Sequence, residues 1–216
     1  MPPATESQRL PRASFAAALK RQVWAWAVIQ FGFFIFGLAI VLMVRAGIGL
    51  GPWDVFHVGL TKTTRISLGV ASQVTGLAIL VIAWAAARVK PGPGTVANMI
   101  FIGVFIDLLM PHISQPRGFP AQLAVFVAGT VLLGIATAVY LKAGLGAGPR
   151  DGLMLGLSRI TGRSVRLVRT VIELSALGAG ALMGGQVGLG TIIFAFGVGP
   201  VVQASLRLFR VSRSEP

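Results

Sequence analysis

The chain has no cysteine among its 216 residues. That excludes disulfides and thiolate metal sites, and says nothing of compartment. Two histidines, His57 and His112, are too few for a histidine-based metal centre. Acidic residues number six against 19 basic ones, a formal net charge of +13. Charge of either sign is scarce at 12%, where a soluble domain carries about 25%. Hydrophobic residues make up 55%, and mean hydropathy is +0.81. These absences exclude an ordinary soluble domain and point to an integral membrane protein. No Walker-type or dinucleotide motif is present; Gly47-x-Gly49-x-Gly51 lacks the spacing and the strand context. No Ser/His/Asp spacing, HExxH or hydrolytic carboxylate pair is visible, so the sequence reads as a non-enzyme without cofactors. Basic residues in an apolar chain mark cytoplasmic loops rather than nucleic-acid contacts.

What the chain does have is glycine, 28 in all, and one glycine motif twice. Gly47-Ile-Gly-Leu-Gly-Pro-Trp-Asp54 returns 97 positions later as Gly144-Leu-Gly-Ala-Gly-Pro-Arg-Asp151. At that offset, residues 37–61 and 134–158 share ten identities in 25 positions. After a one-residue slip Gly94-Thr95 matches Gly190-Thr191. Duplicated halves of this size in an apolar chain are typical of transporter folds. Alternating glycines open backbone conformations closed to other residues. Proline then suits the first turn of a new helix, and an Asp two positions on is favoured by the helix dipole. The motif therefore reads as helix, glycine break, second helix at membrane depth. A surface turn is the plainer reading.

In order, the sequence predicts an all-α polytopic membrane bundle. Residues 1–21 read as a cytoplasmic tail, where Pro2, Pro3 and Pro11 oppose a long helix. The apolar stretch after it is too long for a signal-peptide core and reads as a retained anchor. Residues 22–113 form one membrane repeat, 114–209 a second, and 210–216 a cytoplasmic end. Each repeat holds three spans: Val23–Val44, Leu68–Ala87 and Thr95–Met110, then Ala121–Leu141, one from Val165, and Val187–Phe209. A short helix follows each motif, Pro52–Thr63 and Pro149–Ile160. Each is too short to cross a core of about 30 Å and reads as re-entrant. Ser67 and Ser164 read as N-caps. With six spans and the N-terminus inside, 15 basic residues fall on the cytoplasmic side, and four (Arg45, Lys62, Arg65 and Arg117) fall outside. If the short helices cross, the division is 14 to 5, so charge does not separate the two models.

Among the acids, Asp54 and Asp151 occupy matching positions. They orient the broken helices around a cavity and bind a cation or proton, or they are solvated helix-start caps. Asp107, late in the third span, is either a proton or substrate site or a partner for a basic side chain. Glu173 follows Arg169 by four residues on one helix face, which predicts an ion pair, with gating or coupling as the functional alternative. Arg150 stands where the first half has Trp53, placing one charge at one broken helix, where an anionic substrate group could sit. Arg159, Arg163, Arg166 and Arg169 read as positive-inside signal and anionic-lipid contact, or as a vestibule for anionic substrate.

Gly-Leu-Gly-Pro-Trp-Asp54 with Gly59-Leu60, Gly94-Thr95 and Ile106-Asp107 resembles the YczE/YyaS/YitT-type group of bacterial integral membrane proteins. So does Gly-Ala-Gly-Pro-Arg-Asp151-Gly-Leu-Met, followed by Arg169, Glu173, Gly184-Gly185 and Gly188-x-Gly190-Thr191. The resemblance implies a protein embedded in the bacterial cytoplasmic membrane, of a group often described only as candidate transporters, and supplies no substrate. The leading expectation is a secondary transporter for a small solute bound between the repeats. The rival is a non-transporting accessory or scaffold protein that binds a partner or lipid. Single cysteines at Thr64 and Ser158 test the span count: with six spans they label from opposite faces of the membrane, and with eight both label from the cytoplasm.

Overall fold

Residues 12–146 and 148–211 are described by a computed structural model, with side chains from residue 17 onward. The described residues form eight α-helices: α1 (Arg12–Ala46), α2 (Pro52–Thr64), α3 (Leu68–Ala87), α4 (Pro93–Leu109), α5 (Phe119–Lys142), α6 (Pro149–Thr161), α7 (Val165–Leu182) and α8 (Leu189–Leu208). One 3₁₀ turn, Met110–His112, extends α4. The described residues contain no strand.

Among the described residues, five helices are long and apolar enough to cross a membrane: Ala17–Ala46, Leu68–Ala87, Pro93–His112, Phe119–Lys142 and Leu189–Leu208. Their outer faces are apolar; Phe196 is 80% exposed and Trp84 60%. Lipid, not water, suits such faces. α7 is less apolar because Arg166, Arg169 and Glu173 lie in its first half. α2 and α6 have 13 residues each, about 20 Å at 1.5 Å per residue, and fall short of a crossing.

The caps follow the local chemistry expected of them. Ser67 Oγ accepts from Val70 N at 3.2 Å, and Ser164 Oγ from Leu167 N at 3.3 Å. α2 and α6 both start on a glycine of nearly equal backbone angles, Gly51 (φ −65, ψ 157) and Gly148 (φ −63, ψ 160). Before them, Gly49 and Gly146 sit at φ 115 and 119, a region that favours glycine. Gly162, at φ 66, separates α6 from α7, so the four arginines from Arg159 to Arg169 do not share one helix.

The sequence reads residues 1–21 as a tail whose prolines oppose a long helix; α-helix is described there from Arg12 onward. Ala16-Ala17-Ala18-Leu19 has high helix propensity, so helix continues beyond the apolar span. Pro2, Pro3 and Pro11 lie outside the described residues.

Packing runs through close glycine contacts. α1 and α5 are antiparallel: Gly32 meets Tyr140, and Gly129 meets Ala39 and Met43. α4 runs parallel to α1, with Phe105 on Gly37, and α8 parallel to α5, with Val201 on Gly134. α3 runs antiparallel to α4, with Gly69 on Gly103 and Gly76 on Met99. α2 packs on α7 through Gly59 and Gly180, and α6 on the end of α3 through Gly156 and Ala87. Phe33, Phe126, Ile29 and Met43 fill the centre.

These contacts fix the ends. Arg45 donates to the carbonyl of Met110, and Ser67 meets Asp107, so α1 ends and α3 begins at the same end of the bundle. α2 therefore leaves and returns at one end. Gly94 and Ala87 meet Leu145 and Gly156, so α6 lies at the other.

A Cβ added at Gly69 would stand 2.1 Å from Gly103 O, where none is added at Gly178 within 4 Å of anything. Gly69→Ala is expected to cost about 1–3 kcal/mol and Gly178→Ala about nothing. Thermal unfolding of the two variants in detergent micelles measures the difference.

Candidate functional site

A cavity of about 400 Å³ opens where the N-terminal turns of α2 and α6 meet. Both Gly-Pro-x-Asp motifs line it. The glycine breaks bring them there: each helix starts inside the protein and runs outward, so its unpaired N–H groups face the interior. α1, α3, α4, α5, α7 and α8 supply the walls.

Arg150 is the centre of the charge arrangement. Its guanidinium carbon stands 4.6 Å from the centroid of the Trp53 ring. The asymmetric position of the motif thus pairs with its own counterpart. Arg150 Nη2 approaches His57 Nε2 at 3.4 Å. A guanidinium only donates, so Nε2 accepts and the His57 proton sits on Nδ1. That nitrogen faces Asp54 Oδ1 at 3.5 Å. His57 is fully buried and Asp54 is 5% exposed. A desolvated guanidinium is costly unless countercharge and ring face compensate it. Here the compensation is Trp53, with Asp54 and Asp151 acting electrostatically from either side.

Asp151 opens into the cavity. It accepts from the backbone N–H of Gly148, as a third-position acid does at a helix start. Among the described residues it forms no ion pair. Tyr140 and Asn98 flank it: a point one Cβ bond from Gly148 lies 3.6 Å from Asp151 Oδ2, 3.7 Å from Asn98 Oδ1 and 3.9 Å from the Tyr140 hydroxyl. Arg169 Nε donates to Glu173 Oε1 at 2.8 Å, and both line the cavity. The i,i+4 pair expected from the sequence is therefore present, and at 56% and 31% side-chain exposure it adds at most about 1 kcal/mol.

The structure thus brings Asp54, Asp151, Arg150, Arg169 and Glu173 to one cavity. It does not bring Asp107 there. Its carboxylate accepts from Ser67 Oγ at 2.6 Å and from Gly69 N at 2.8 Å. The N-terminus of α3 takes that charge, which corrects the placement of Asp107 with the substrate residues. Sequence reasoning missed Trp53, His57, Tyr140 and Asn98 as site residues. Tyr140 is the chain's one tyrosine and Asn98 a polar residue within a span, the two signals that could have drawn them in. No group of three or more His, Cys, Asp or Glu among the described residues could hold a metal ion.

A family model described as a family of unknown function, DUF6198, matches residues 23–207. An uncharacterized protein of Haemophilus influenzae is 34% identical over 201 residues, covering 92% of each chain. An uncharacterized membrane protein of Bacillus subtilis, YczE, is 37% identical over 188 residues, covering 85% of this chain and 86% of its own. A second Bacillus subtilis protein, the uncharacterized YyaS, is 27% identical over 165 residues, covering 75% and 82%. No solved structure matches the chain.

Arg150→Leu should cost about 3–5 kcal/mol, because buried Asp54 loses its guanidinium and Asp151 keeps only Arg169. Adding Asp54→Asn should recover about 1 kcal/mol or more. Unfolding midpoints in detergent check both; a single variant as stable as the parent would show that the charges are not coupled.

Proposed function

The chain belongs to the family of unknown function DUF6198, and from that premise we propose that it is a small secondary transporter, its solute bound between two inverted halves. The observation that carries the reading is the cavity: about 400 Å³ of space in the middle of an apolar bundle, lined by charged and hydroxyl groups. A scaffold would pack its acids into closed pairs. Here Asp151 lines the cavity and, among the described residues, forms no ion pair.

The helix directions support inversion. α1 and α4 run one way, while α5 and α8 run the other. Each short helix stays at the end from which it enters, and the two ends differ. This is the arrangement in which broken helices meet at the membrane midplane, their N-termini at the site. The positive-inside rule puts the end carrying Lys142, Arg159, Arg163 and Arg166 in the cytoplasm, with both termini. There the exposed arginines also suit anionic lipid headgroups. Asp54, Asp151 and Arg150 form the base of the site, and the Arg169–Glu173 pair lies at its side, where a gating role fits.

Alternating access has a direct test that needs no substrate. The chain lacks cysteine, so Thr137→Cys, on the cavity wall, gives a single reporter. In sealed vesicles of both orientations, a membrane-impermeant thiol reagent is expected to reach it from either side. Labelling from one side only, under all conditions, would favour an accessory protein with a blind cavity.

A further inference from the structure

The oxygens around Gly148 carry a second conclusion, about what the cavity holds. Three of them lie close together on the cavity wall: Asp151 Oδ2, Asn98 Oδ1 and the Tyr140 hydroxyl are all within 3.9 Å of where a Cβ on Gly148 would stand. They come from three different helices, α6, α4 and α5. Tyr140 is 95% buried by its 5% exposure, yet its hydroxyl bonds to nothing among the described residues. Asn98 likewise has no hydrogen bond there. Both residues line the cavity, so these oxygens are open to a ligand there. Three acceptors in one place ask for a group with several donors.

Arg169 and Arg150 act on Asp151 across the cavity, and neither forms an ion pair with it. Arg150 is stacked on Trp53 and directed at His57. Arg169 is tied through Nε to Glu173. The helix N-termini, which would welcome an anion, already carry one each in Asp54 and Asp151. An anionic ligand would meet three carboxylates on the cavity wall against two guanidiniums. Beyond the polar cluster the wall is apolar, with Phe36, Ile40, Ile102, Phe194 and Val198.

We propose that the cavity binds a small primary ammonium compound with a compact apolar body. Its three N–H donors go to Asp151, Asn98 and Tyr140, and its body lies against the phenylalanines. At about 30 Å³ per water the space equals about a dozen waters, which admits a ring and a short chain. The inference rests on the reading of this cavity as the solute site, and it identifies the chemistry of that solute.

The test is calorimetric titration of the purified full chain in detergent micelles with three probes of similar size. 2-Phenylethylamine should bind saturably. Its trimethylammonium analogue, with the charge but no N–H donor, should bind about tenfold or more weakly, the worth of one or two lost hydrogen bonds. 3-Phenylpropionate, an anion, should not bind. Asp151→Asn should abolish amine binding, and Tyr140→Phe and Asn98→Leu should each weaken it. If Asp151→Asn fails to fold, the probe series on the parent and the two milder variants still decide. The proposal falls if the amine does not bind, if the anion binds as well, or if the three variants bind the amine like the parent. Uptake of labelled 2-phenylethylamine into proteoliposomes separates the two claims: binding without uptake upholds the ammonium site and counts against transport.

Discussion

Backbone polar groups inside an apolar bundle must be satisfied by the protein itself, and the two glycine breaks are where this chain meets that constraint. An unpaired group in hydrocarbon costs several kcal/mol. The breaks are closed by the opposite half. Gly190 N, at the start of α8, donates to Ile48 O at 2.7 Å. Gly94 N, at the start of α4, donates to Leu145 O at 2.9 Å. Thr191 Oγ1 accepts from both Leu50 N and Gly188 N at 3.2 Å. Each Gly-Thr pair therefore clasps the broken segment of the other half. The clasp needs glycine on both sides: a Cβ at Gly49 would stand 2.7 Å from Gly188 N, and one at Gly94 2.6 Å from Leu145 O. With the breaks held, the first turns of α2 and α6 are placed at the centre, and the cavity follows from their position.

The same placement explains the charges. A helix that starts in the interior exposes a positive end there. Asp54 and Asp151 answer it locally. Two acids near one another then need a cation, which Arg150 supplies, and the bare guanidinium needs a ring face, which Trp53 supplies. His57 fills the remaining contact of Arg150 without adding charge. The chain of dependence runs from glycine to helix start, to acid, to arginine, to tryptophan.

How much of this could be read from the sequence follows the range of each interaction. Helix lengths, the Ser67 and Ser164 caps and the short helices after each motif rest on neighbours within a turn, and they were legible. The i,i+4 geometry of Arg169 and Glu173 was legible for the same reason. Asp107 was not, because its partners lie 38 and 40 positions earlier, across the α3–α4 contact. The repeated Gly-Thr was visible as a match, but nothing local says that it reaches across to the other motif. The Trp53 and Arg150 asymmetry was noted as a difference in charge. Its meaning, a stacked pair, depends on a distance that no spacing encodes.

That asymmetry extends to the whole cavity. Positions 97 apart line it together: Phe36 with Leu133, Ile40 with Thr137, Trp53 with Arg150, Ser72 with Arg169 and Gly76 with Glu173. At these positions the second half brings Arg150, Arg169 and Glu173, and the first half brings tryptophan, serine and glycine. A site lined alike from both sides would offer the same surface to either end of a ligand. Here Asp54 and Asp151 match, and the second half adds charge at three positions where the first half has neutral side chains. Matching backbones place the two walls, and unlike side chains at matching positions give the site its direction.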